Sequence, residues 1–125
     1  MKKILLIEDY ADNARLVMRT LEPYDYHVLH AANGESGLTM AIEEKPDLVL
    51  LDLGLPDVEG QTLVSLIRNV PGLARVPIVA VTAWPPATAR QMIEAYGCDG
   101  YISKPISPRT FPSQIAAYIA TGDNE

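Results

Sequence analysis

The chain has 125 residues, 10 basic and 16 acidic, and a formal net charge of −6. That length fits one domain whose core needs no covalent or metal staple, and Cys98, the single cysteine, excludes an internal disulfide framework and suits a reducing compartment. The acidic balance argues against a nucleic-acid surface or anionic lipid and favours basic partners or metal cations, and no apolar stretch approaches the roughly 20 residues that span a bilayer.

In chain order, the opening "MKKILLIED" holds a short apolar run, Ile4–Ile7, stopped by two acids, and reads as a strand rather than a secretory leader. Leu16, Val17, Met18 and Leu21 then give a first helical face. His27–Ala31 reads as a second strand, and Leu38, Met40, Ala41 and Ile42 as a second helical face. Leu48–Leu51 is a third strand, introduced by Pro46, followed by Leu63, Leu66, Ile67 and Val70 on a third helix. Ile78–Val81, after Pro77, is a fourth strand; Met92, Ile93 and Tyr96 mark a fourth helix that Gly97 closes. Gly100–Ile102 is a fifth strand, and Ile115, Tyr118 and Ile119 mark a last helix. Pro85-Pro86 forbids helix before Pro86, and Pro112 delays the last helix to Phe111 or Pro112.

Near-continuous aliphatic strands alternating with helices imply an α/β fold: a doubly wound, five-stranded parallel sheet covered on both faces. Such sheets bind ligands beyond the carboxyl ends of their strands. The first strand ends in Glu8-Asp9, the third in Asp52 ("LVLLDLGLPD"), the fourth in Thr82, and the fifth runs to Lys104. The second, ending near Asn33-Gly34, offers no obvious chemical group.

Taken singly, each of these residues has an ordinary structural role: helix cap, β-former or solvated loop cation. Together, three carboxylates in one crevice repel. Two unit charges about 4 Å apart interact by about 1 kcal/mol in water and about 4 kcal/mol at an effective dielectric of roughly 20. A hard divalent cation such as Mg²⁺ relieves that conflict and keeps positions open for water or a phosphoryl oxygen. With Lys104 and Thr82 added, the constellation suits a carboxylate that accepts a phosphoryl group.

The stretches "LLIEDYADN", "LVLLDLGLPDVEG", "VPIVAVTA" and "GYISKP" resemble the receiver domain of bacterial two-component response regulators over nearly the whole chain. The resemblance implies a CheY-like, flavodoxin-like (βα)5 domain of strand order 2-1-3-4-5, over residues 1–121 with a polar tail at 122–125. It implies Asp52 as phosphoacceptor, taking its phosphoryl group from a sensor histidine kinase or a histidine phosphotransfer protein. Asp9, Asp52, Glu8 and the Gly54 backbone carbonyl would hold Mg²⁺, with Mn²⁺ able to substitute. Thr82 and Tyr101 would be the switch pair, Lys104 the partner of the acyl phosphate, and the bond to Pro105 cis. The fourth helix, fifth strand and fifth helix, including Ala89, Met92, Tyr96, Tyr101 and Phe111, would form the face that reads the state and meets a downstream protein. Pro56 would turn the chain toward the next helix.

Trp84, two after Thr82, departs from the usual pattern and is expected to shield the phosphoryl site from water. With one helix and a tail after Lys104, the expectation is a stand-alone, cytoplasmic receiver, monomer or weak dimer, with no nucleic-acid or membrane partner. It turns over no external substrate. The alternative is a pseudo-receiver acting as a phosphorylation-independent interaction module, which the intact Asp52, Asp9, Thr82 and Lys104 disfavour. A phosphohydrolase of related topology would want an acid where Gly54 stands, and a flavin protein a phosphate-cradling loop after the first strand.

Overall fold

A computed structural model describes residues 1–55 and 57–123; Pro56, with its expected turn, and Asn124 and Glu125 of the expected tail lie outside the described residues. The elements are β1 (Lys2–Ile7), α1 (Ala11–Leu21), β2 (Tyr26–Ala31), α2 (Gly34–Glu44), β3 (Leu48–Asp52), α3 (Gly60–Arg68), β4 (Ile78–Thr82), α4 (Pro86–Tyr96), β5 (Gly100–Ser103) and α5 (Phe111–Asp123). All pairings are parallel and the order is β2-β1-β3-β4-β5, so the chain winds outward in both directions from β1 and β3.

The aliphatic runs explain the layers. Successive side chains on a strand point to opposite faces, so a run that is apolar throughout is covered twice. Leu5, Ile7, Val49, Leu51, Ile78 and Ala80 pack with Ala41 of α2 and Leu63, Val64 and Ile67 of α3. Ile4, Leu6, Leu48, Leu50, Val79, Val81 and Ile102 pack with Val17 and Leu21 of α1 and Phe111, Ile115 and Ile119 of α5. On α1 the inward row is Ala14, Val17 and Leu21, while Leu16 and Met18 are 39% and 38% exposed. Consecutive helical residues lie about 100° apart, so Leu16, Val17 and Met18 cannot all face one core. Ile42 and Leu66, also expected inward, are exposed for the same reason. Ala89 and Phe111, expected on the outward α4–β5–α5 face, are fully buried, and Phe111 belongs to the α1–α5 core.

Local chemistry sets the boundaries. The Asn33 side chain accepts the Ser36 amide at 2.9 Å and caps α2. Pro86 opens α4 and Gly97, at φ 80°, closes it. Ahead of α5, the Thr110 and Phe111 amides both donate to the Ser107 carbonyl (3.1 and 2.8 Å), which lets the helix begin at Phe111 with Pro112 in its first turn. At the amino-terminal edge of the sheet, Arg68 donates to the carbonyls of Ala74, Val76 and Gly97 and to the Asp99 carboxylate, which also accepts the Ile78 amide. Burial pushes the neighbouring Cys98 thiol up to about 11, so it stays protonated and unreactive. Among the described residues no helix is long and apolar enough to cross a membrane.

Candidate metal and phosphoryl site

In-register pairing of β1 with β3, β3 with β4 and β4 with β5 brings the strand ends side by side. Glu8 and Asp9 follow β1, Asp52 and Thr82 are the last residues of β3 and β4, and Lys104 follows β5. One carboxylate oxygen from each of Glu8, Asp9 and Asp52 lies within 4.8 Å of the others. The Lys104 Nζ stands 3.0 Å from Glu8 Oε1 and 3.7 Å from Asp52 Oδ1. Residues far apart in the chain thus form one constellation.

Its electrostatics are unbalanced. Glu8 is buried; Lys104 answers one of its oxygens, but Oε2 is buried with no hydrogen-bond partner among the described residues. A buried acceptor left unpaired costs about 1–3 kcal/mol, more when charged. Burial, then the adjacent Glu8 carboxyl, raises the Asp52 pKa above its ordinary value, opposed by the Gly54 amide (3.0 Å from Oδ1) and by Lys104. One ammonium faces three carboxyl groups. A second, divalent cation fits this donor set: the orphaned Oε2, the exposed Asp9 and the mostly buried Asp52 offer the oxygen ligands that Mg²⁺ takes. A Cβ on Gly54 would meet only Asp52 Oδ1, at 3.6 Å, so local space does not demand the glycine.

The remaining expected residues divide by position. Thr82 is buried, and its Oγ1 accepts the Trp84 amide at 3.0 Å, leaving its proton free to be donated elsewhere. Trp84 and Tyr101, both partly buried, pack on the core under α2, α3 and α4. The Lys104–Pro105 peptide is cis, as expected. Met92 and Tyr96 are half-buried on α4.

Two supports were not foreseen from the sequence. The His30 Nε2 lies 2.8 Å from the Glu8 carbonyl oxygen, so β2, which looked chemically silent, reaches the acidic pair through its backbone. The Asp57 carboxylate, from the loop after Asp52, accepts the Gly34 and Glu35 amides (2.9 and 3.0 Å) and ties that loop to the start of α2. Those amides hold the Asp57 carboxyl below its ordinary range. The sequence signal for His30 was faint: it is one of two histidines on β2, distinguished from His27 by sharing a face with the core-packed Tyr26 and Val28.

Residues 4–116 match the family model described as the response regulator receiver domain. The chain belongs to that family. This receiver is 34% identical over 118 residues to the polar-differentiation response regulator DivK of Brucella anthropi, a match covering 94% of this chain and 96% of the relative. The DivK of Brucella ovis is 33% identical over the same shares. Among solved structures, the chemotaxis protein CheY4 of Vibrio cholerae superposes with a TM-score of 0.87 at 26% identity, covering 94% of this chain and 98% of that one. The receiver domain of a sensor histidine kinase from Pseudomonas aeruginosa gives a TM-score of 0.86 at 28% identity, over 95% and 98% of the two chains; that structure has a magnesium ion coordinated in its active-site cleft. The receiver is therefore a CheY-like signalling domain of two-component systems, and Glu8, Asp9 and Asp52 make up its acidic pocket.

Proposed function

We propose that this receiver accepts a phosphoryl group on Asp52 from the phosphohistidine of a sensor kinase or phosphotransfer protein, in a Mg²⁺-dependent reaction, and passes the signal on through protein contact. An Asp52 oxygen attacks phosphorus in line as the phosphorus–nitrogen bond breaks. The acyl phosphate forms, and the imidazole leaves with the bonding electron pair. Lys104 stabilises the charge on the phosphoryl oxygens, and the Gly54 amide orients the attacking carboxylate. Glu8, Asp9, Asp52 and the Gly54 carbonyl would hold the cation, with Mn²⁺ an acceptable substitute; bound there, it neutralises charge on the acids and the phosphoryl group. Thr82 donates its hydroxyl to the acylated site and Tyr101 follows it, shifting a two-state equilibrium read at the face of α4, β5 and α5. No external substrate is turned over. The domain works in the cytoplasm as a monomer or weak dimer, without nucleic-acid or membrane contact.

The observation that supports this reading most is the meeting of Glu8, Asp9 and Asp52 within 4.8 Å, with the Lys104 ammonium 3.7 Å from Asp52. Acetyl phosphate with Mg²⁺ should add one phosphoryl group to the wild type, read by intact mass and by its lability to hydroxylamine. Asp52→Asn should take none. A wild type that stays unmodified in saturating Mg²⁺, and does not bind beryllofluoride, would replace this reading with a phosphorylation-independent interaction module.

A further inference from the structure

β1 ends at Ile7, the last residue paired with β3, and the amide and carbonyl of Glu8 turn to the β2 side before the chain enters α1. Both are held there by β2. The Glu8 amide donates to the Ala31 carbonyl at 3.0 Å, the last backbone bond on that side. The Glu8 carbonyl lies 2.8 Å from His30 Nε2, and because a carbonyl only accepts, the ring nitrogen carries the proton. β2 stops at Ala31 and Asn33 already caps α2, so its backbone has left the sheet where the next ladder donor would stand. The imidazole supplies that donor instead.

The bond acts on both acids. The Glu8 carbonyl and the Asp9 amide belong to one planar peptide unit, so fixing its oxygen fixes the line from the Glu8 Cα to the Asp9 Cα. Glu8 is buried and constrained by its surroundings, whereas Asp9 is exposed, so the orientation of this peptide plane bears directly on where its carboxylate can reach. We propose that His30 is a positioning residue for the acidic pair, holding Asp9 and Glu8 in the arrangement that binds the divalent cation. This rests on the reading of that pair as Mg²⁺ ligands.

The test compares two substitutions. His30→Leu keeps the apolar bulk and removes the donor. His30→Gln places an amide N–H at the same distance along the side chain as Nε2. Calorimetric titration with Mg²⁺ alone should show affinity weakened about tenfold in His30→Leu and restored to within about twofold of wild type in His30→Gln. Acetyl phosphate uptake should follow: half-saturation in Mg²⁺ rises about tenfold in His30→Leu while the rate at saturating Mg²⁺ stays near wild type. Wild-type affinity in His30→Leu, or equal weakening in both variants, would overturn the proposal. A wild type that binds Mg²⁺ yet takes no phosphoryl group removes only the phosphoacceptor reading, and one that binds no Mg²⁺ removes both.

Discussion

The two faces of the sheet carry different parts of the site. On the side of α1 and α5, the rows Ile4–Leu6, Leu48–Leu50 and Ile102 run on to Glu8, Asp52 and Lys104 at the carboxyl edge. A small cavity there, about 40 Å³, joins Glu8 and Lys104 to Val17, Val81 and Ile106 of that same layer. On the side of α2, α3 and α4, the row Ile78–Ala80 runs on to Thr82, and Trp84 and Tyr101 pack against that core. Fixed charge lies on one face; the hydroxyl and the aromatic side chains proposed to report it lie on the other. On the proposed reading, acylation of Asp52 would reach Tyr101 through β4, at the hydroxyl of Thr82 that ends it.

The comparison predicts unequal effects of substitution. Lys104→Met should slow acetyl phosphate uptake by about 100-fold, because the charge lies 3.7 Å from the attacking carboxylate; rapid-quench rates at saturating Mg²⁺ measure it. Thr82→Ala should slow uptake by about tenfold or less, while abolishing the response of the Tyr101 ring to beryllofluoride in aromatic NMR spectra. Should Thr82→Ala cost as much uptake as Lys104→Met, the division between the faces would not hold. Trp84→Ala should shorten the phospho-Asp52 lifetime about threefold if the indole restricts water; an unchanged decay rate would leave Trp84 as a packing residue of the α2–α4 core.

The smallest effect concerns the loop between the faces. The Gly34 and Glu35 amides lower the Asp57 pKa in the folded state, so Asp57 adds stability above its unfolded value, about 3.9, and loses it as pH falls through the folded value. Urea midpoints of wild type and Asp57→Asn should therefore differ at pH 7 and draw together as the pH falls below the unfolded value and through the folded one. A constant difference would mean that the Asp57 contacts do not depend on its charge.

How much of this was legible in the sequence follows from the range of each interaction. The strands follow from aliphatic runs and the parallel sheet from alternation, both local or nearly so, whereas the order 2-1-3-4-5 rested on the family resemblance; Glu8, Asp9, Asp52, Thr82 and Lys104 could be placed because each ends or follows a strand. The inward face of α1 was less legible, since small Ala14 takes a core position that Leu16 and Met18 seemed to claim. The resemblance puts Phe111 on the outward face, although as the first residue of α5 it packs into the α1–α5 core. His30 and Asp57 escaped because each acts on the backbone of another element, 22 and 23 residues away in the chain, and a side-chain-to-backbone bond leaves no trace in residue spacing.

The Arg68 guanidinium, at the far edge of the sheet, bears on how α4 can move. It grips the Gly97 carbonyl, just past the end of α4, while also holding Val76 ahead of β4 and Asp99 ahead of β5. The other end of α4 hangs from Trp84 and Pro85, which lead back to Thr82. One end of the helix is riveted and the other is tied to the hydroxyl. A pull at Thr82 would then swing α4 like a lever about Gly97 rather than slide it along the sheet. Displacement would grow toward Pro86, and the first turn of α4, not its last, would sweep the widest arc before a partner.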